Sequence, residues 1–493
     1  LKPDRYRAPL YEALIAHAQL RATPFHVPGH KQRTAWGEPS AGTYYETLLA
    51  LDLTELADTD DLHHPEGPLL EAQELAADCF GADETRFLVG GSTSGNLAMI
   101  LGVCRPGELV IVQRNVHKSV IHGLMLAGAR AILLPPVVDE ASGLATIPAV
   151  RLLGETLKSY PEAKAVILSS PNYYGMSSDL GPLVAAAHAC DIPVLVDEAH
   201  GAHFGFHPQL PNSALRAGAD AVVQSTHKML GGMTMGAMLH LQGDRLERTA
   251  VRQALTMVQS SSPSFPILAS LDLARRQLHV QSEQAFYPAL RAVRAVVEAL
   301  ERMPFGALGY GNAISKGIVY DPLKLVLFHE AGKLSGFALR DALLEQGCVP
   351  EMADERYAVL ALGTGSIEED GVQLTKALSA IADSLPILPH ETDARPRKPT
   401  TEGMALSLPE PVRFGYGPNE SREVLLEHSI GETAAEWVIP YPPGIPMLFP
   451  GETITESTVD QLIRWRHEGA RIQGAKDPGL RTIRIQSGSA NEG

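Results

Sequence analysis

A chain of 493 residues is longer than one compact core accommodates, so two or three domains are expected. Its 45% hydrophobic and 20% charged content is that of an ordinary globular enzyme, and a formal net charge of −16 argues against nucleic acid or an anionic membrane as partner. No apolar run approaches the ~18–20 residues that span a bilayer, and the polar start Leu1-Lys2-Pro3-Asp4-Arg5 lacks a signal-peptide core.

Along the chain, Leu10, Ala13, Leu14 and Leu20 share one face of a helix expected over 9–22. The next stretch, Pro24-Phe25-His26-Val27-Pro28-Gly29-His30-Lys31, is forbidden to helix by two prolines and a glycine. A second irregular loop, rich in ionisable groups, covers 60–68. Apolar runs at 109–112, 131–134, 165–168, 194–196, 221–223 and 237–241 then read as strands buried on both faces. Helical patterns at 94–103, 119–127, 149–160 and 183–189 lie between them. Such alternation predicts a mostly parallel sheet, with 237–241 as an antiparallel member. A long amphipathic helix is expected over 274–303, leading to a smaller α/β unit. Four prolines within 386–401 mark a linker. The resulting division is an N-terminal arm and entrance loops at 1–70, a large domain at 71–275, a small α/β domain at 276–390, and an α+β C-terminal domain at 400–493.

The chemistry concentrates where strands end. Asp197 closes the run Ile192-Pro193-Val194-Leu195-Val196-Asp197. Lys228 follows Ala221-Val222-Val223-Gln224-Ser225-Thr226-His227 and precedes Gly231-Gly232. A lysine amine able to condense with an aldehyde, beside a carboxylate able to keep a pyridine nitrogen protonated, points to pyridoxal 5′-phosphate. Gly90-Gly91-Ser92-Thr93-Ser94-Gly95-Asn96 opens a helix and reads as the phosphate cup, with Ser92, Thr93 and Ser94 as donors. Ser225 and His227 are placed to reach the same phosphate. His117 ends another strand and is placed to stack on the cofactor ring. The spacing of His200, His203 and His207 would suit a metal on one helix face, but Gly201, Gly205 and Pro208 argue against that helix. No metal is expected, and His200 is better used beside the cofactor. Cys79, Cys104, Cys190 and Cys348 are scattered without a CxxC pair, as expected of reduced thiols in a cytoplasmic protein.

These residues resemble the bacterial ornithine/lysine/arginine decarboxylases, in the short form without an N-terminal wing domain. The likeness runs through the 24–31 loop, Asp60-Asp61-Leu62-His63, Arg114-Asn115-Val116-His117-Lys118-Ser119, Asp197-Glu198-Ala199-His200-Gly201 and Ser225-Thr226-His227-Lys228. It ends in Tyr441-Pro442-Pro443-Gly444-Ile445-Pro446-Met447-Leu448-Phe449-Pro450-Gly451-Glu452. Arg33 departs from the small residue usual at its position. The resemblance implies an aspartate-aminotransferase-like α/β fold (fold type I). In it Lys228 binds the cofactor, Asp197 faces the ring nitrogen and His117 is the ring-stacking base. Ser92, Thr93, Ser225 and His227 hold the phosphate, with His200 near the ring. Glu452 and His30 are expected toward the substrate. The implied reaction is decarboxylation of a small basic amino acid in a homodimer or higher homo-oligomer, with L-arginine preferred over lysine and ornithine. The Asp–Lys pair alone leaves open an aminotransferase or a β-eliminating lyase, and a non-catalytic regulator on this fold is a further alternative.

Overall fold

The computed structural model describes residues 4–311, 316–385, 408–415, 420–440, 444–468 and 470–487. An eight-stranded sheet forms the centre. Its order is Glu84–Leu88, Ala237–Leu241, Ala221–Gln224, Val194–Asp197, Val166–Ser169, Leu109–Gln113, Arg130–Leu134 and Val412–Arg413. The five strands from Ala221–Gln224 to Arg130–Leu134 run parallel. Ala237–Leu241 is antiparallel to both its neighbours, as its close succession to the lysine loop requires.

Both faces of this sheet are covered, which explains the unbroken apolar runs. Val110, Val112, Ile167, Leu195 and Val223 pack on one side against Ala98, Met99, Val120 and Leu124. Their neighbours in sequence, Leu109, Ile111, Val166, Leu168, Val194, Val196 and Val222, pack on the other against Leu152, Leu153, Leu183 and Val184. The strand period of two thus assigns alternate residues to two separate cores. Gly95 lets the helix Gly91–Val103 lie on the sheet, since a Cβ there would sit 2.4 Å from Val223 Cγ2.

The expected long helix over 274–303 is two helices. Phe265–Gln281 ends where Ser282 takes φ +47°, and Tyr287–Leu300 restarts with Pro288 in its first turn. Proline lacks the N–H that a helix interior needs, so one amphipathic pattern is split. A boundary at 275/276 therefore falls inside a helix, and the turn at 282–286 is where the chain leaves the large unit. Beyond it, Phe305–Ala307, Lys324–His329, Ala358–Ala361 and Met352–Ala353 form an antiparallel sheet in that order.

The linker expected at 386–401 lies outside the described residues. Val412–Arg413 still belongs to the large sheet, and the C-terminal core begins after it, around Leu426, Val438, Leu448, Ile454, Leu462 and Ile485. At the other end, helix Pro9–Gln19 is tied to the large unit: Leu10 N–H donates to buried Asp272 at 3.0 Å, and Arg275 donates to the carbonyl of Arg7 at 2.8 Å. All four cysteines are free, and Cys190 is exposed on the turn after Gly181–His188. Among the described residues no helix is long and apolar enough to cross a membrane.

Candidate active site

The carboxyl ends of the parallel strands open into one cleft. Its walls include Ser92, Gln113, Asn115, His117, Asn172, Tyr173, Asp197, His200, Lys228 and Ile445. Asp197 and Val223 are paired across adjacent strands, so the carboxylate and the lysine five residues past Val223 leave neighbouring strand ends. Lys228 sits in the single turn Thr226–Met229.

Asp197 is buried, and both its oxygens are occupied. Asn96 Nδ2 donates to Oδ2 at 2.8 Å and Ala199 N–H donates to Oδ1 at 3.1 Å. The second hydrogen of the same amide reaches Ser119 Oγ at 2.9 Å, and Ser119 meets His117 Nδ1 through its hydroxyl at 2.9 Å and its N–H at 3.2 Å. A continuous chain of hydrogen bonds therefore fixes the His117 ring relative to the Asp197 carboxylate. Burial lowers the His117 pKa to about 4 against the pull of Asp197, so its imidazole is neutral at physiological pH.

Lys228 Nζ lies 3.0 Å from His200 Nε2 and 5.7 Å from the Tyr173 ring centre. Burial, opposed by Asp197 and reinforced by Lys324, brings Lys228 down to about 8. Burial also pushes His200 well below its ordinary value. A neutral His200 accepts from the lysine at Nε2, which leaves its buried Nδ1 without a partner among the described residues.

The remaining expected residues divide. Ser92 lines the cleft at the start of helix Gly91–Val103, whose first N–H groups have no intrahelical acceptor. Gly91 turns at φ +69° with open space where a Cβ would stand. Ser225 Oγ is buried with no partner among the described residues, and His227 uses Nδ1 on the Gly236 carbonyl at 3.0 Å. Ser94 is buried, and its hydroxyl donates to Gly91 O at 2.8 Å, bracing the loop. A helix N-terminus, an unpartnered hydroxyl and an open glycine turn fit a phosphate, and a buried, pre-oriented carboxylate fits a pyridinium. The residues present fit pyridoxal phosphate.

Two expectations are not met within this chain's cleft. Glu452 gives both carboxylate oxygens to Arg114, Nε at 2.9 Å and a terminal nitrogen at 2.8 Å. A planar guanidinium matches a carboxylate at two points, and that match takes Glu452 away from a substrate. The same segment contributes Ile445 instead. Glu452 does not cap the following helix Glu456–Glu468 either, since Thr455 Oγ1 accepts from Thr458 N–H there. His30 pairs with Asp52 at 3.1 Å and lines a separate groove with Trp36, Tyr45 and Met233. His203 and His207 do not converge with His200 on a metal: His203 bonds Asp321 at 2.9 Å, His207 accepts from Gln209 N–H, and no such cluster occurs among the described residues.

Asn96, Tyr173 and Lys324 were not singled out from sequence. Asn96 had a signal, a polar residue just ahead of the apolar run Leu97-Ala98-Met99-Ile100-Leu101. Tyr173 and Lys324 had none, because they reach the site from a loop and from the small sheet.

A lysine and an aspartate at adjacent strand ends, beside a glycine-turned helix N-terminus and a buried histidine, fit a pyridoxal-phosphate site of the fold-type-I class. The family model described as Orn/Lys/Arg decarboxylase, major domain, matches residues 8–303, and the model of its C-terminal domain matches residues 409–477. The chain is 34% identical over 491 residues to an arginine decarboxylase of Bacillus subtilis, with 98% of each chain covered. It is 41% identical over 471 residues to an uncharacterized protein, YaaO, of the same organism, covering 94% of this chain and 96% of that one. Its fold superimposes on the constitutive lysine decarboxylase of Escherichia coli with a TM-score of 0.76 at 21% identity, covering 98% of this chain and 82% of that one. The chain belongs to the Orn/Lys/Arg decarboxylase family and is a pyridoxal-phosphate-dependent amino-acid decarboxylase.

Proposed function

We propose that the protein removes the α-carboxylate of L-arginine, giving agmatine and CO2, a step toward polyamines. The observation that carries the site assignment is the convergence of Lys228, Asp197, His117 and His200 in one cleft. The preference for arginine over lysine and ornithine is supported by the full-length similarity to the Bacillus subtilis arginine decarboxylase.

Bound here, pyridoxal phosphate supplies an electron sink for the pair released as CO2 departs. The protein's part is to bind, orient and move protons. Lys228, lowered by burial to about 8, has more of its Nζ as free amine than an ordinary lysine, and it would offer that amine to the cofactor. Asp197, held in place by Asn96 and Ala199, would face the ring nitrogen and favour its protonated form. His117, its ring fixed by Ser119, would stack on the cofactor ring. Ser92, Thr93, Ser225 and His227 hold the phosphate. Lys228 Nζ and His200 Nε2, 3.0 Å apart, share the proton that the substrate Cα needs after CO2 has left.

The expected homodimer is supported by the face next to the lysine loop. Phe25, Trp36, Tyr44, Met233 and Met235 are all exposed there or on the preceding arm, and large apolar side chains left in water mark contact surfaces. A second chain over this face would also bring the His30 groove toward a neighbour's cleft.

The deciding experiment is CO2 release from L-arginine, L-lysine and L-ornithine side by side. The highest kcat/KM is expected with arginine. A preference for lysine or ornithine overturns the substrate, and release from none of the three overturns the reaction.

A further inference from the structure

The small antiparallel sheet sends a second lysine to the edge of the cleft. Lys324, the first residue of the strand Lys324–His329, is only 4% exposed. Its Nζ lies 6.0 Å from the Tyr173 ring centre, and Lys228 Nζ lies 5.7 Å from the same centre. The two amines are thus no more than about 12 Å apart, the two distances laid end to end.

This placement is built into the packing. Gly175 turns at φ +76°, and a Cβ on it would meet Lys324 Cβ at 2.5 Å and Cγ at 2.9 Å. The loop that carries Tyr173 closes over the Lys324 stem only because residue 175 has no side chain. Asp321 N–H donates to Gly175 O at 2.8 Å, which ties the same loop to the start of the strand. Asp321 is in turn held by His203 Nε2 at 2.9 Å and by Leu323 N–H at 3.0 Å.

Among the described residues, no carboxylate lies within ion-pair distance of Lys324 Nζ and no acceptor takes a hydrogen bond from it. Its charge is favoured only at longer range, by Glu351 and Asp321, and is opposed by burial. The Lys324 stem is buried, while its Nζ keeps some contact with solvent and has no close partner among the described residues, an uncommon place for a lysine. One way to activate a lysine nucleophile is to set another cation beside it.

We propose that Lys324 is a positioning residue whose ammonium, fixed across Tyr173 from Lys228, keeps Lys228 as the free amine that takes up the cofactor. The Lys228 lone pair attacks the aldehyde carbon, a C=N bond forms, and the aldehyde oxygen departs as water, with both amine hydrogens accounted for in that water. The inference rests on Lys228 being the cofactor lysine.

Several groups act on Lys228. Asp197 at the strand end and Glu351 from the small unit favour its charged form. His200 at 3.0 Å accepts from it, while His117 and the Tyr173 ring complete its surroundings. Burial and Lys324 oppose the charge. Asp197 is expected to meet the ring nitrogen when the cofactor binds, whereas Asp321 and Glu351 stay with Lys324. The proposal requires Lys324 to hold its proton while Lys228 gives its own up.

The test is the pH dependence of cofactor uptake by the enzyme freed of pyridoxal phosphate, followed by growth of the visible absorbance band. The uptake rate should rise with pH along a single titration. At an effective dielectric of about 20, a unit charge about 12 Å away shifts a pKa by about one unit. Lys324→Met should move the midpoint up by about that much, slowing uptake about tenfold below the midpoint. Lys324→Arg keeps the charge and should leave the midpoint within a few tenths of a unit. An unchanged midpoint in Lys324→Met, with the band still forming, overturns this role and leaves the Lys228 assignment standing. Should Lys324→Met fail to fold, NMR titration of wild-type protein carrying 13C at lysine Cε decides. Lys324 is expected to titrate above Lys228, and the reverse order overturns the proposal.

Discussion

Replacing Arg114 by Met removes four hydrogen bonds at once. Two go to the Glu452 carboxylate, at 2.9 and 2.8 Å, and two go to the carbonyls of Pro446 and Met447, both at 3.0 Å. The guanidinium also lies 5.0 Å from the Phe449 ring centre. Arg114 follows the strand Leu109–Gln113, three residues before His117, whereas Glu452, Pro446 and Met447 belong to the C-terminal unit. The pair therefore fastens that unit, with Ile445, onto the wall of the cleft. Removing one member of a fully buried pair costs about 3–5 kcal/mol because the other charge is left unpaired. Both side chains retain 22% exposure, so water recovers part of that cost, and about 2–3 kcal/mol is expected for Arg114→Met. Lysine keeps the charge but not the two-point geometry, so Arg114→Lys should lose about 1–2 kcal/mol. Chemical denaturation of the two single variants and of the double variant with Glu452→Gln gives the coupling, expected at about 1–3 kcal/mol. A coupling below about 0.5 kcal/mol refutes the fastening role. A raised KM for arginine in Glu452→Gln, with unchanged stability, refutes it too and returns Glu452 to the substrate.

Asp197→Asn should leave the cofactor bound and slow turnover by about 10²–10³-fold, because a neutral amide does not favour a protonated ring nitrogen; near-normal kcat would mean that the carboxylate is misassigned. Asn96→Ala strips one donor from buried Asp197 and one from Ser119. It should destabilise the protein by about 2–4 kcal/mol in denaturant titration, and a loss under about 1 kcal/mol would show that the bridge is dispensable. Light scattering should report a homodimer or a larger homo-oligomer, and an active monomer would dismiss the reading of the exposed Phe25, Trp36 and Tyr44 face.

The parallel core was legible because residues such as Val110 and Ile111 are apolar on both faces of the sheet, a pattern that surface strands do not show. The strand ends followed from it, and with them Asp197, His117 and Lys228. What sequence did not disclose is what those groups touch. Asn96 is 101 positions from Asp197 along the chain, and no local pattern links them. The family resemblance set Glu452 toward the substrate, and it says nothing about a guanidinium 338 positions earlier that takes both its oxygens. The break at Ser282 was hidden because its two flanking helices continue one amphipathic pattern, although Pro288 marked the restart. Lys324 begins an apolar strand, and its nearness to Tyr173 depends on how the Gly175 turn packs.

Reduction of the loaded enzyme with borohydride, followed by peptide mapping, tests the central assignment most directly, since it fixes the cofactor to whichever amine holds it. The label is expected on Lys228 alone, within the peptide that contains Ser225-Thr226-His227-Lys228, and Lys228→Ala should show neither label nor visible band. A label on Lys324 or on any other lysine contradicts the account.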